Sequence, residues 1–208
     1  VAAQIYGHDE NPDNILVLEF VDAVNLRLLR DEEPRDWSSH GPHLVPDREY
    51  TQIEDEGCLS FSHDGSKLFV GGEELRCWEI ETGSLIWSVE LNSPQVAVIS
   101  IATSPTGSLI ATGCTNGEIS LRHPVTGELL GELHGHELVP QPRSDRPSRP
   151  AWSMSLDFSS DGQRLVSGAH DGTLQVWDIA EKTKVYTIDA GAPITAVDFA
   201  PTDDLVAW

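Results

Sequence analysis

Basic charge is what this chain has least of. Its 208 residues carry 34 aspartates and glutamates against 13 lysines and arginines, and the lysines number three: Lys67, Lys182 and Lys184. A formal net charge of −21 repels phosphate backbones, so nucleic-acid binding through a general basic surface is disfavoured. Acidic composition with arginine preferred over lysine also occurs in salt-adapted proteins; an ordinary acidic fold is the plainer reading. Cysteine is scarce too. Cys58, Cys77 and Cys114 are an odd number set in strand-like runs, so they read as small buried apolar side chains and not as a disulfide framework. No apolar stretch approaches the roughly 20 residues of a membrane-spanning helix; the longest, near 96–102, is one strand. No N-x-S/T acceptor occurs, and no G-x-S-x-G elbow, phosphate-binding glycine loop or H-E-x-x-H. These absences favour a cytosolic or nuclear chain with no membrane contact, no cofactor and no catalytic motif.

What is present is repetition. GCLSFSHDGSKLFVGGEELRCWEIETGSLIWS (57–88), SIATSPTGSLIATGCTNGEISLRHPVTGELLGELHGH (100–136) and SLDFSSDGQRLVSGAHDGTLQVWDIAEKTKVYTID (155–189) share one pattern. Each reads as an apolar strand, an Asp-Gly or Thr-Gly turn, a second strand ending near glycine, a third strand, a turn and a fourth strand. Gly65 and Gly107 lie 42 residues apart, Phe158 and Phe199 lie 41 apart, and Gly107 to Gly162 is 55, the same period with an insertion. Four short strands at a period of roughly 40–45 residues describe a blade of a β-propeller.

The third copy carries a family resemblance. FSSDGQRLVSGAHDGTLQVWDI (158–179), closed by Trp177-Asp178 and preceded by Gly135-His136, resembles the WD-repeat (WD40) propellers. The resemblance implies an all-β propeller of four-stranded antiparallel blades and a buried tetrad of His136, Ser167, Asp171 and Trp177. The other copies are degenerate. The first keeps Trp78 but has a shorter second turn, GGEEL (71–75), without an aspartate equivalent. The second keeps Thr112 and places Asn116 at the aspartate position, but Leu121 replaces the tryptophan.

The expected organisation is an incomplete blade at 1–30, blades at 57–91, 98–134 and 152–189, and the start of a further blade at 194–208. VAAQIYG, NILVLEF and LRLLR (26–30) read as second, third and fourth strands of the first of these. A seven-bladed ring at this period needs ~290 residues, so a partial, truncated ring is expected. Closure into four blades would supply one second strand twice.

Two connections exceed what a blade needs, 31–56 and 137–151, and both follow a fourth strand. Such connections emerge on one propeller face with the second-to-third turns, and in the resembled family that face docks partners. Insertions gathered on one face of a repeat array mark a binding face. The second insertion, ELVPQPRSDRPSRPA, reverses the local charge: Arg143, Arg146 and Arg149 alternate with four prolines. Prolines favour an extended rod of three residues per turn, which would line up arginines at spacing three, and guanidinium forks suit carboxylates or phosphates. The competing reading is a solvated loop whose arginines offset the protein's own field. Trp152 at the foot of this insertion and His170 in the following second turn complete the candidate partner-binding set; Ser144 and Ser148 are candidate modification sites. The expected function is a non-catalytic scaffold that docks another protein or peptide, acidic or phosphorylated.

Catalytic and metal readings are weaker. His40 and His43 with Asp36 and Asp47 lie in an irregular proline-flanked loop, a poor metal signature. His63-Asp64 and His170-Asp171 suit turn chemistry, where Asp-Gly supplies positive φ. The alternative function is a propeller enzyme or a ligand- or metal-binding propeller using Asp157 and Asp198. These carboxylates recur at equivalent repeat positions beside Leu59, Ile101, Leu156 and Val197, residues expected near the central channel.

Overall fold

The computed structural model describes residues 15–18, 26–29, 58–91, 93, 96–136, 154–202 and 205–208. Residues 15–18 and 26–29 form strands β1 (Ile15–Leu18) and β2 (Leu26–Leu29), paired antiparallel with Leu16 opposite Leu28. The expected strand at 1–7, and the connections 31–56 and 137–151, lie outside the described residues.

Three four-stranded antiparallel sheets follow. The first comprises β3 (Cys58–Phe61), β4 (Lys67–Gly71), β5 (Glu74–Glu79) and β6 (Ser84–Glu90). The second comprises β7 (Val98–Thr103), β8 (Ile110–Cys114), β9 (Glu118–Arg122) and β10 (Leu129–His134). The third comprises β11 (Met154–Phe158), β12 (Arg164–Ala169), β13 (Thr173–Asp178) and β14 (Thr183–Asp189). A two-stranded sheet, β15 (Asp198–Phe199) with β16 (Val206–Ala207), comes last. Strand order within every sheet is sequential. This is an all-β propeller architecture of antiparallel four-stranded blades, laid out as an arc.

The turns explain the meander. Gly65, Gly107 and Gly162 close the first turn of each blade with φ of 69–70°, a conformation other residues adopt only at a cost. Asp64 Oδ1 accepts from the Ser66 N–H at 3.0 Å and Asp161 Oδ1 from the Gln163 N–H at 2.9 Å, fixing the same Asx geometry in blades one and three.

First strands of successive blades adjoin one another, β3 to β7, β7 to β11 and β11 to β15, while fourth strands form the outer rim. Every residue of β14 is exposed. The core therefore lies between blades. Phe69, Leu75, Cys77, Val98, Ile110 and Cys114 fill the first seam. Ile119, Leu121, Leu133, Leu156, Leu165 and Trp177 are central to the second. Val166, Leu174, Ile194, Val197 and Phe199 fill the third. Each large side chain buried this way contributes about 1.5–3 kcal/mol.

The glycine near the end of each second strand has a packing cause. A Cβ on Gly71 would lie 2.6 Å from Cys58 Sγ and from Val98 Cγ1; one on Gly113 would collide with Met154, and one on Gly168 with Ile194 and Val197. In each case the segment that opens the next blade occupies the space. The same tight stacking places Leu156 and Val197 in the seams, 8% exposed each, rather than along an open channel; Leu59, 47% exposed, does face solvent.

Candidate functional site

His136 follows β10 by two residues and belongs to the segment leading into blade three. Its side chain is buried against that blade. Nε2 lies 2.7 Å from Ser167 Oγ, and Nδ1 lies 3.0 Å from Asp171 Oδ2 and 3.1 Å from Thr173 Oγ1. The Trp177 indole N–H donates to Ser167 Oγ at 2.8 Å. One proton arrangement satisfies this chain: Trp177 donates to Ser167, Ser167 donates to His136 Nε2, and His136 Nδ1–H donates to Asp171. It requires a neutral imidazole. Burial lowers the His136 pKa below its ordinary value, and this outweighs the opposing pull of Asp171. Asp171 Oδ1 also accepts from the N–H and hydroxyl of Thr173, both at 2.8 Å, pinning the second turn.

Ser167, His136 and Asp171 reproduce the contacts of a nucleophile–base–acid triad. A triad is recognised by geometry and by roles, and here the roles fail. Ser167 is 0% exposed, and its oxygen is already engaged by Trp177 and His136, so no substrate atom can approach it. The network does something else: it ties the end of one blade to two strands and a turn of the next through polar groups that are costly to leave unpaired.

Gln175 and Thr173 also belong to this cluster, and the sequence pattern did not single them out. Gln175 is 1% exposed, and its Nε2 donates to the Gly135 carbonyl at 2.7 Å. A signal existed, because 173, 175 and 177 share one face of β13 by the period-two rule. Gly135 is required here, since a Cβ at that position would run into Gln175 and lie 2.7 Å from Trp177 Cη2.

The same face of the propeller collects the second-to-third turns and the incoming segments. His136 O would lie 2.8 Å from a Cβ on Gly117, in the second turn of blade two. Thr115 and Ala97 exchange bonds, Thr115 N to Ala97 O at 2.9 Å and Ala97 N to Thr115 Oγ1 at 3.0 Å. Ala190 N donates to Gly172 O at 2.8 Å. Asn116, the counterpart of Asp171, is half-buried and bonds only locally to Glu118. His170 is half-buried in the turn beside Asp171. Arg143, Arg146, Arg149 and Trp152 lie outside the described residues, as do His40 and His43; the described ends of the basic insertion are the anchored His136 and Met154, the first residue of β11.

Asp157 and Asp198 come together. Both line a cleft of about 400 Å³ with Thr103, Pro105, Phe158 and Pro201, where three successive blades meet. Asp157 is half-buried and Asp198 exposed. Among the described residues no group of three or more metal-ligating side chains is assembled. The three thiols are free and their pKa values are pushed up by burial, to about 12 for Cys58 and Cys77 and about 11 for Cys114. They pack as apolar groups and are poor nucleophiles at neutral pH. No described helix is long and apolar enough to cross a membrane.

Residues 51–208 match the family model described as "Nucleolar protein 10-like, N-terminal domain", a β-propeller domain. Among curated proteins, Protein groucho of Drosophila melanogaster is 29% identical over 146 residues, covering 69% of this chain and 18% of its own length. The chain thus spans about a fifth of that relative. Among solved structures, the RRP9 WD40 repeats superpose with a TM-score of 0.57 at 23% identity, over 68% of this chain and 41% of the other. A chain in the Mitotic Checkpoint Complex gives a TM-score of 0.65 at 19% identity, over 92% and 49%. These two likenesses are of fold.

Proposed function

We propose, from the premise that this chain belongs to the nucleolar protein 10-like N-terminal domain family of WD40 β-propellers, that it is a non-catalytic scaffold whose second-to-third-turn face docks another protein. The observation that carries this reading is the anchoring of His136. Buried bonds to Ser167, Asp171 and Thr173 hold the residue from which the 137–151 insertion departs, so a basic, proline-rich segment starts from a fixed base beside the turns of blades two and three. A rigid base limits the ordering entropy that docking costs. Arg143, Arg146 and Arg149 are the contact residues, with Trp152 and His170 at the margin, and the partner surface is acidic or phosphorylated, because guanidinium forks pair with carboxylate and phosphate oxygens. A nuclear setting is the one the family description supports. Groucho and the RRP9 repeats are propeller proteins in the same broad family, which supports protein docking without naming a partner. Ser167, which bonds His136 in line with Asp171, is sealed from solvent, and this favours a scaffold over a hydrolase. The test is capture of partners from a nuclear extract by the parent and by the Arg143→Gln, Arg146→Gln, Arg149→Gln variant. Loss of the bound proteins with an unchanged melting temperature is expected. Equal recovery would return the arginines to a charge-balancing role.

A further inference from the structure

The join between blade three and the last sheet is made differently from a strand ladder. β11 and β15 belong to different sheets, yet two backbone N–H groups in and beside β15 are received by side chains of β11. Val197 N–H donates to Ser155 Oγ at 3.0 Å, and Phe199 N–H donates to Asp157 Oδ2 at 2.6 Å. Residues 155 and 157 share a face of β11, so the two stitches form a short row across the seam. Behind them lies the apolar packing of Ile194, Val197 and Phe199 on Val166 and Leu174.

One stitch is carried by half of a carboxyl pair. Asp198 sits in β15 beside Phe199, and its carboxyl is within hydrogen-bonding reach of Asp157. We propose that Asp157 and Asp198 act as a proton-operated latch: one shared proton holds sheet β15–β16 against blade three, and its loss frees that sheet. With the proton in place, one carboxyl donates to the other while Asp157 Oδ2 still receives the Phe199 N–H. Without it, two anions face each other across the seam.

The charge that acts most strongly on Asp157 is the Asp198 carboxylate. β7 and β16 carry no charged side chain, and β8 contributes only the Cys114 thiol. On β12 the charged residue is Arg164, whose field acts on Asp161 in the adjoining turn. Asp203 and Asp204 lie outside the described residues. Burial raises the Asp157 pKa and Asp198 adds to the rise, against the lowering by the Phe199 N–H. The sign follows. A carboxyl whose folded pKa exceeds its unfolded value stabilises the closed seam relatively at low pH and loses that contribution as pH rises through the folded pKa.

The test is amide hydrogen exchange at Val197 and Phe199 between pH 4.5 and 8, corrected for intrinsic exchange, on the whole chain. Protection should fall as pH rises, by up to tenfold per pH unit for a one-proton linkage, while amides of β12 and β13 change far less. Asp198→Asn removes the repulsion and keeps a hydrogen-bonding group, so its protection should stay high and flat to pH 8. A wild-type profile independent of pH overturns the latch, whatever the variant does. So does an Asp198→Asn profile that follows the wild type.

Discussion

Trp177 and Trp78 hold the same place in blades three and one, opposite Leu165 and Leu68 respectively, but only one of them is satisfied. Trp177 Nε1 donates to Ser167 Oγ at 2.8 Å. Trp78 Nε1 is equally buried and meets no acceptor among the described residues, because Val70 stands where Ser167 stands in the third blade. The repeat preserved the large apolar ring in both blades and the polar network in one. Packing between blades is thus the common requirement, and the tetrad adds to it locally.

That contrast sets the first prediction. Trp177→Phe removes the donor from a closed chain and leaves Ser167 and His136 to rearrange, at roughly 1–3 kcal/mol. Trp78→Phe deletes an unpartnered donor and should cost clearly less. Urea denaturation of the two variants measures the difference; equal losses would mean that the Trp177 bond adds nothing beyond ring packing.

A second prediction compares turns. Asp171→Ala breaks bonds to His136 and to the Thr173 N–H and hydroxyl, so it should destabilise by about 1–3 kcal/mol. Asn116→Ala in blade two loses only exposed contacts to Glu118 and should remain within about 0.5 kcal/mol of the parent. Thermal melts of both variants decide it.

Gly135→Ala tests close approach. The added methyl would enter space held by Gln175 and Trp177, and overpacking of this kind costs about 1–3 kcal/mol. Gly72→Ala is the control, since nothing lies within 4 Å of its added carbon. Indistinguishable melting temperatures for the two would show that the Gly135 site relaxes freely.

The pH dependence of stability should carry the His136 signature. Its folded pKa is lowered, so the unfolded chain binds the proton more readily. The neutral-histidine contribution is complete above the unfolded value of about 6.5 and is lost as pH falls from there through the folded pKa. His136→Gln should be less stable overall and show a flatter profile between pH 7 and 5. A parallel slope in both proteins would contradict the assignment.

The turns and strands of the three blades were legible because their signals are local. Asp64-Gly65 and Asp161-Gly162 announce positive φ, and the runs between them alternate within five to seven residues. The tetrad, which joins His136 to residues 31 to 41 positions away, was legible through resemblance alone; spacing would never have found it. Thr173 and Gln175 were missed because their value depends on what His136 and Gly135 bring from the preceding blade. Lys182 is another such case: it adopts φ of 54°, and its ammonium donates to the Leu130 carbonyl on the rim of blade two, a clasp that no pattern of charge announces. Asp157 and Asp198 were visible as repeat equivalents, while their meeting across a seam is a property of the stacked blades.

The proposed reading of an acidic partner surface by the basic insertion can be measured through association kinetics against ionic strength. The captured partner is titrated against the parent and the triple arginine-to-glutamine variant from about 50 to 500 mM salt. Screening within a Debye length of about 8 Å at physiological strength should slow the parent's association steeply as salt rises, and the variant should associate slowly with little salt dependence. Matching rates and slopes for the two proteins would contradict the account, because the arginines would then take no part in recognition.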